Sequence, residues 1–214
     1  DWSSDVCSSD LSVAAEEPRS VMHDDGRLIM HTSRFTQFGC WDGFFSVNGQ
    51  RQDVRGERTA GARDKSWGVR PVGEPEGGAP GLLNGEPGVY WVWAPIDFGD
   101  VCTQFNTFQG RDGETKQLGA CRMPAYADPA AIPPVDPGLV EIHEARHRVH
   151  WKPGTRRAAG AEIELIVPGG EVHTIVLEPV LDFLMKGIGY SHPQWGHGMW
   201  KGELVVDEIG RAHV

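Results

Sequence analysis

Residues 143–147 read HEARH and match the zinc-protease pattern HExxH letter for letter. That chemistry needs a helix, because a helix brings positions i and i+4 to one face and both imidazoles to one metal. The segment lies instead between two Pro-Gly pairs, at 137–138 and 153–154, which favours a short strand. Strand residues four apart are about 13 Å apart, whereas zinc ligands lie about 2 Å from the ion. We therefore expect surface or groove histidines and no metal here; the alternative is a zinc hydrolase acting through His143 and His147.

A dense group of charges surrounds a tryptophan between residues 62 and 70. Asp64 lies among three cations, and nearby positive charge favours the ionised form of a carboxyl. Asp64 is therefore suited to an ion pair with Arg63 or Arg70. One interpretation is a salt-bridged corner packed on Trp67. The other is a pocket wall formed by Trp67, with Asp64 or Arg70 as a polar anchor.

Residues 187–200 form a glycine-punctuated stretch with five large ring side chains, Tyr190, His192, Trp195, His197 and Trp200. Aromatic faces with a few polar tips are the usual lining of a small-molecule site. Tyr190, His192 or His197 could donate or relay a proton near neutral pH. The alternatives are a buried aromatic corner that closes a barrel, or metal binding by the two histidines, for which no third ligand is evident.

Short strands must position these residues, because turn signals recur at short intervals and the chain contains 28 Gly and 15 Pro. The Asn-Gly pair at residues 48–49 is the strongest short hairpin signal. Residues 88–94 read as a strand, on which alternation places Trp91 and Trp93 on one face. These patterns predict an all-β, antiparallel sandwich or barrel, with a last strand over residues 198–206.

Composition limits the partners of the protein. The formal net charge is −10, which argues against a nucleic-acid surface, because such a surface needs clustered Lys and Arg. No apolar run approaches the roughly 20 residues of a membrane-spanning helix. Apart from Cys7 near the first residue, the cysteines are Cys40, Cys102 and Cys121. Their odd number and wide spacing favour buried thiols over a disulfide framework or a zinc ribbon.

The two ends carry residues that reverse-complementary DNA can encode. The string GACGTGTGCTCTTCCGATCTG encodes residues 5–11, and its reverse complement encodes residues 209–214. An inverted adaptor ligated to both ends of a DNA fragment would produce this relation, and foreign segments are set aside before the fold is considered. We therefore predict that residues 1–11 and 208–214 are adaptor-derived and that the rest is a fragment of a longer reading frame.

Three motifs, in order along the chain, resemble signatures of one superfamily. Residues 63–68 read RDKSWG, similar to the signature Arg-Asp-His-Ser-Trp-Gly, with Lys65 in place of His. Residues 34–39 (RFTQFG) and 189–204 (GYSHPQWGHGMWKGEL) are similar to further motifs. The chain thus resembles the lipocalin-like superfamily that contains carotenoid 1,2-hydratases (hydroxyneurosporene synthases) and bacterial relatives.

The resemblance implies two calycin-type β domains that hold an apolar ligand. It implies the end of the first domain and an interdomain segment over residues 12–70, and a truncated second lipocalin-like domain over residues 71–207. The rest of the N-terminal β domain would then be missing. Substrates in the superfamily are polyenes, isoprenoids, polyketides or lipids. We therefore expect an apolar small molecule as partner, with no cofactor and no nucleic acid.

Two functions fit these expectations. The first is an enzyme that hydrates, isomerises or cyclises an unsaturated apolar substrate with the help of an acid, while aromatic faces stabilise the cation. Its acid candidates are Asp64, Tyr190 and His192. The second is a carrier that binds a lipid or isoprenoid and does no chemistry. In both, the expected ligand-binding residues are Arg63, Trp67, Arg70, Trp91, Trp93, Trp195, His197 and Trp200.

Overall fold

The computed structural model describes residues 2–56, 59–69, 89–182 and 200–204. In these residues the chain is all-β, as predicted, with antiparallel sheets and one 3-10 turn. The elements are β1 (Trp2–Asp10), β2 (Ala15–Glu16), β3 (Ser20–Asp24), β4 (Arg27–Val47), β5 (Gln50–Val54), β6 (Ala60–Val69), β7 (Val89–Asp97), β8 (Val101–Gly110), β9 (Thr115–Pro124), the 3-10 turn (Pro129–Ala131), β10 (Val140–Ile142), β11 (Glu144–Trp151), β12 (Ala158–Ile166) and β13 (Val172–Leu177). No helix of the described part has the length and apolar character needed to cross a membrane.

One long strand organises the first sheet, because β4 pairs with β1, β2, β3, β5 and β6. A tight turn lies at each end of β4. Asp25 and Gly26 precede it, Asn48 and Gly49 follow it, and all four have positive φ, as a two-residue hairpin turn requires. The hairpin predicted at Asn48-Gly49 is confirmed.

The other two sheets are built from consecutive hairpins. The second sheet has the order β10-β9-β8-β7, and the third has the order β11-β12-β13. Residues 139–151 read as one segment in the sequence, but the structure divides them at His143 between these two sheets. Residues 144–147 of the HEARH segment lie on β11, so the predicted strand is confirmed there.

Strand β8 is covered on both faces. All residues from 102 to 107 are buried. Cys102 packs in one core with Phe38 of the first sheet. Phe105 packs in a second core with Ile163 of the third sheet. Because successive side chains of a strand point to opposite faces, the second sheet carries one core on each side.

The chain divides into two compact units. Unit 1 comprises residues 1–19, 33–67 and 88–179, and unit 2 comprises residues 20–32, 68–87 and 180–214. Both cores of β8 belong to unit 1, and the described part of unit 2 includes the hairpin of β3 with the start of β4. Each unit draws on both of the ranges 12–70 and 71–207, whose assignment to two calycin-type domains stays a prediction.

The predictions for the two ends of the chain have different outcomes. Residues 200–204, the described part of the expected last strand, form no strand. Gly202 has a φ of +129°, which is outside the β region, and Leu204 is 88% exposed, so that prediction is wrong there. At the other end, β1 lies within residues 1–11 and pairs with residues 39–47 of β4. Pairing describes conformation and not origin, so the adaptor origin stays a prediction.

The two-sided core of β8 generates a stability prediction. Phe105 is 1% exposed, and Phe105→Ala is expected to lower the free energy of unfolding by about 3–5 kcal/mol, because it leaves a cavity that the neighbours cannot fill. The control is Val176→Ala at a position that is 67% exposed, where we expect a change below about 1 kcal/mol. Urea denaturation followed by circular dichroism measures both. Equal effects of the two substitutions would contradict the packing.

Candidate functional site

A buried carboxyl lies between the first and second sheets. Glu17, just after β2, is 8% exposed. The Asn106 amide donates to its Oε2 at 2.7 Å, the Gln104 amide to its Oε1 at 3.3 Å, and the Thr36 hydroxyl to Oε1 at 3.4 Å. A buried polar group requires such partners. The Glu17 cluster comprises these residues and the side chains linked to them: Glu17, Arg34, Thr36, Asp64, Trp91, Gln104 and Asn106.

Opposing effects act on the pKa of the Glu17 carboxyl. Burial raises its pKa and is the largest effect, whereas the positive charge of Arg34 and the hydrogen bonds from Thr36 and Gln104 lower it. The negative charge of Asp64 adds to the rise, and the net result is a pKa above the ordinary value of 4.5. A carboxyl with a raised pKa is a candidate proton donor. It is also a group whose ionisation destabilises the fold.

Arg34 links the buried part of the Glu17 cluster to half-exposed groups. Its Nε lies 3.6 Å from Oδ2 of Asp64. Its guanidinium carbon lies 5.4 Å from the ring centre of Trp91, which is within reach of a cation-π interaction. The Trp91 Nε1 donates to Oδ1 of Asn106 at 2.6 Å. Arg34 thus contacts both Asp64 and Trp91. The sequence predicted the latter two as site residues, but it did not predict Arg34.

Arg63 and Trp67 lie on the opposite face of β6 from Asp64. The Arg63 Nε donates to Oε1 of Gln37 at 3.0 Å, and the rings of Trp67 and Phe35 have centres 6.1 Å apart. Neighbouring residues of a strand point to opposite faces, so one pocket cannot receive the side chains of the whole signature. Asp64 pairs with Arg34 of β4, whereas Arg63 turns towards Gln37.

The remaining ligand-binding residues that the sequence predicted do not lie together. Some belong to unit 1 or unit 2, and others lie outside the described residues. Trp93 shares a face of β7 with Trp91, as alternation predicted, because the two pair with Asn106 and Phe108 of β8. The Trp93 Nε1 is buried, without a hydrogen-bond partner among the described residues. Trp200 is half-buried, in unit 2 and in no strand. Outside the described residues lie Arg70, Tyr190, His192, Trp195 and His197.

A cleft of about 340 Å³ opens between the second and third sheets of unit 1. Six of its ten lining side chains are apolar and none is acidic. The residues of the second-sheet wall and the adjoining turn, followed by those of the third-sheet wall, are Phe98, Val101, Thr103, Arg122, Ile142, Leu165, Val167, His173, Thr174 and Ile175. None of the site residues predicted from the sequence lines this cleft.

The histidines of the HEARH segment have different surroundings. His143 is 83% exposed. His147 stacks on Tyr90, with ring centres 5.9 Å apart, and packs on Phe105 at 5.5 Å, and its burial lowers the pKa of the imidazole. Within the described ranges no three His, Cys, Asp or Glu side chains are grouped so that they could hold a metal. Because His147 packs among aromatic rings and His143 is exposed, the two imidazoles do not support a metal site, and we do not propose a zinc hydrolase.

The thiols of Cys40, Cys102 and Cys121 are free. Cys102 and Cys121 are buried, and burial raises the pKa of each to about 12. Thiols of such high pKa are unreactive at neutral pH, because the thiolate is the nucleophile. The expectation of buried thiols is confirmed for these two, whereas Cys40 is half-buried.

Sequence reasoning missed Glu17, Thr103 and Arg122. One signal was present in the sequence. In residues 103–107, polar side chains occur at both odd and even positions, so both faces of the expected strand carry polar groups. Such a pattern reads as an exposed strand. Its burial follows only from the two sheets that cover β8, and local sequence does not encode that covering.

Comparison with known proteins identifies the family of the chain. The chain belongs to a family of unknown function (DUF8625), whose model matches residues 3–212. The matched range reaches into both terminal segments, 1–11 and 208–214, for which adaptor origin is predicted. No curated protein and no solved structure matches the chain.

The raised pKa of Glu17 generates a pH prediction. The folded state binds the Glu17 proton more tightly than the unfolded state, so the stability from this group is fully present below about pH 4.5 and is lost as the pH rises through the folded pKa. Glutamine cannot ionise. The free energy of unfolding of Glu17→Gln, minus that of the wild type, is therefore expected to increase over that range.

Urea denaturation at a series of pH values between about 4 and 8 measures this difference. Glu178→Gln, at an exposed position, is the matched substitution. If Glu17→Gln and the wild type lose stability in parallel as the pH rises, the carboxyl of Glu17 does not have a raised pKa.

Proposed function

We propose that the protein binds an apolar small molecule in the cleft between its second and third sheets. The observation that carries this proposal is the composition of the walls, where six apolar side chains face a space of about 340 Å³. Ligand pockets occupy about 300–1,000 Å³ and are mostly apolar. Phe98 is 53% exposed, and Val101 and Val167 are half-buried, so a ligand in the cleft would remove their apolar surface from water.

The finer architecture that we propose is lipocalin-like, with the ligand held between antiparallel sheets. Support comes from one core cluster that joins the second and third sheets next to the cleft: Phe105, Ile142, Ile163, Leu165 and Ile175. The motif at residues 63–68 supports the same interpretation through its resemblance to the superfamily signature. Within the described residues no sheet closes on itself, so the proposed ligand lies between sheets. The ligand classes that the resemblance implies are isoprenoids, polyenes, polyketides and lipids.

Binding without chemistry is the form of this function that the described residues favour. Glu17 and Asp64 belong to the cluster between the first and second sheets, whereas the cleft lies on the other side of β8. A proton donor must come within about 3 Å of the atom that it protonates. Neither carboxyl can therefore act on a ligand in the cleft. Acid-assisted chemistry through Tyr190 or His192, outside the described residues, stays a prediction.

A neutral fluorescent probe tests the proposed cleft. N-phenyl-1-naphthylamine is apolar and uncharged, and its emission increases when it leaves water. The wild-type chain is expected to bind it saturably at one site. Val167→Trp places a bulky ring in the cleft and is expected to weaken binding at least tenfold, because the ring occupies the space of the ligand.

Val176→Trp is the matched control, because Val176 lies on β13 but is 67% exposed and does not line the cleft. It is expected to bind the probe like the wild type. Equal binding by wild type and Val167→Trp would place the probe elsewhere and refute the proposed site.

A further inference from the structure

One corner of the cleft is polar. Thr103 of β8 and Arg122 of β9 are direct partners in the antiparallel register. Directly opposite residues project from the same face, with Cβ atoms about 5 Å apart, and both side chains line the cleft. His173 lines the facing wall, on β13.

The Thr103 hydroxyl lacks a partner in the part of the chain that the structure describes. Thr103 is 5% exposed, and its Oγ1 is buried with no hydrogen-bond partner among the described residues. A buried hydroxyl without a partner is costly, and native structures rarely retain one without a reason. Thr103 lines the cleft, but its Oγ1 has no exposed surface, so a ligand atom would satisfy this hydroxyl after the side chain rotates about its Cα–Cβ bond.

The charge of Arg122 is not compensated by any residue in the described ranges. It is half-buried, and it forms no ion pair or hydrogen bond with any residue that the structure describes. Among the described residues that line the cleft, none is acidic and could neutralise it. On the opposite wall, Oε1 of Glu171 lies 3.5 Å from the Nε2 of His173, and the Glu171 side chain is 76% exposed.

We propose that the ligand is an apolar monocarboxylic acid, with its carboxylate against Arg122 and Thr103. This inference rests on the proposed function, because it names the ligand class of the same cleft. A guanidinium presents paired donors that match the two oxygens of a carboxylate, and Thr103 supplies a further O–H donor. The hydrocarbon part lies along Phe98, Val101 and Val167.

The volume of the cleft sets the size of the ligand. One water molecule takes about 30 Å³ of liquid, so a space of about 340 Å³ holds roughly eleven atoms of that size. Decanoate, a saturated ten-carbon acid, is therefore a suitable probe. The neutral alcohol 1-decanol has the same chain and no charge, and is the matched ligand.

Isothermal titration calorimetry of the full chain with the two ligands at neutral pH tests the proposal. The wild type is expected to bind decanoate at least tenfold more tightly than 1-decanol, because only the acid forms charge-assisted hydrogen bonds. Arg122→Gln is expected to weaken decanoate binding at least tenfold and to change 1-decanol binding less than twofold. Arg146→Gln, which removes a 70% exposed cation on β11, is expected to change neither.

Thr103→Val gives a second readout, because it replaces the hydroxyl with a methyl group. It is expected to weaken decanoate binding about fivefold, since one donor is lost. The thermal midpoint of the ligand-free protein is expected to stay the same or rise, because an unpaired buried hydroxyl has been removed. A purely structural role for Thr103 would lower the midpoint instead.

Failure of the acid assignment can be distinguished from failure of the proposed function. Equal affinities of the wild type for decanoate and 1-decanol, or wild-type decanoate affinity in Arg122→Gln, would overturn the acid assignment and leave the apolar cleft in place. If neither ligand binds to the wild type, the proposed function fails and the acid assignment fails with it.

Discussion

The burial of β8 on both faces is the constraint on which the rest of the structure depends. Residues 102–107 are all buried, with the first sheet against one face and the third sheet against the other. A strand in this position is usually an almost continuous apolar run. Here four of the six residues are polar, so each must find a hydrogen-bond partner inside the protein or carry an energetic cost.

The two faces meet this demand differently. On the first-sheet side, the carboxylate of Glu17 accepts hydrogen bonds from Gln104 and Asn106 at the cost of a raised pKa, while Oε1 of Gln104 has no hydrogen-bond partner among the described residues. On the third-sheet side, Thr107 donates to the carbonyl of Gln117, whereas neither the Thr103 hydroxyl nor the neighbouring Arg122 has a partner within the described ranges. Glu17 thus satisfies most of the polar groups on the first side, and for the second side we propose that a ligand supplies the partners. Membership in a family of unknown function assigns no ligand, so the cleft itself is the basis of the proposal.

Local features were predictable from the sequence and packing was not. The turn at residues 48–49 follows from the φ preferences of Asn and Gly alone, and the alternation of Trp91 and Trp93 follows from strand geometry. The two amide partners of Glu17 are 87 and 89 residues away, and no local pattern encodes that distance. The signature at residues 63–68 indicated a site, but strand alternation divides its side chains between two faces. The cleft arises from the pairing of whole sheets, so none of its lining residues stood out.

Amide hydrogen exchange tests the central claim most directly. If β8 is enclosed between two sheets, the amides of residues 102–107 exchange only when the whole unit unfolds, and they are the slowest of the described strands. The amides of β13, at the edge of the third sheet, then exchange at least tenfold faster through local opening. Exchange of residues 102–107 at the rate of β13 would contradict the account, because β8 would then open independently of the sheets that cover it.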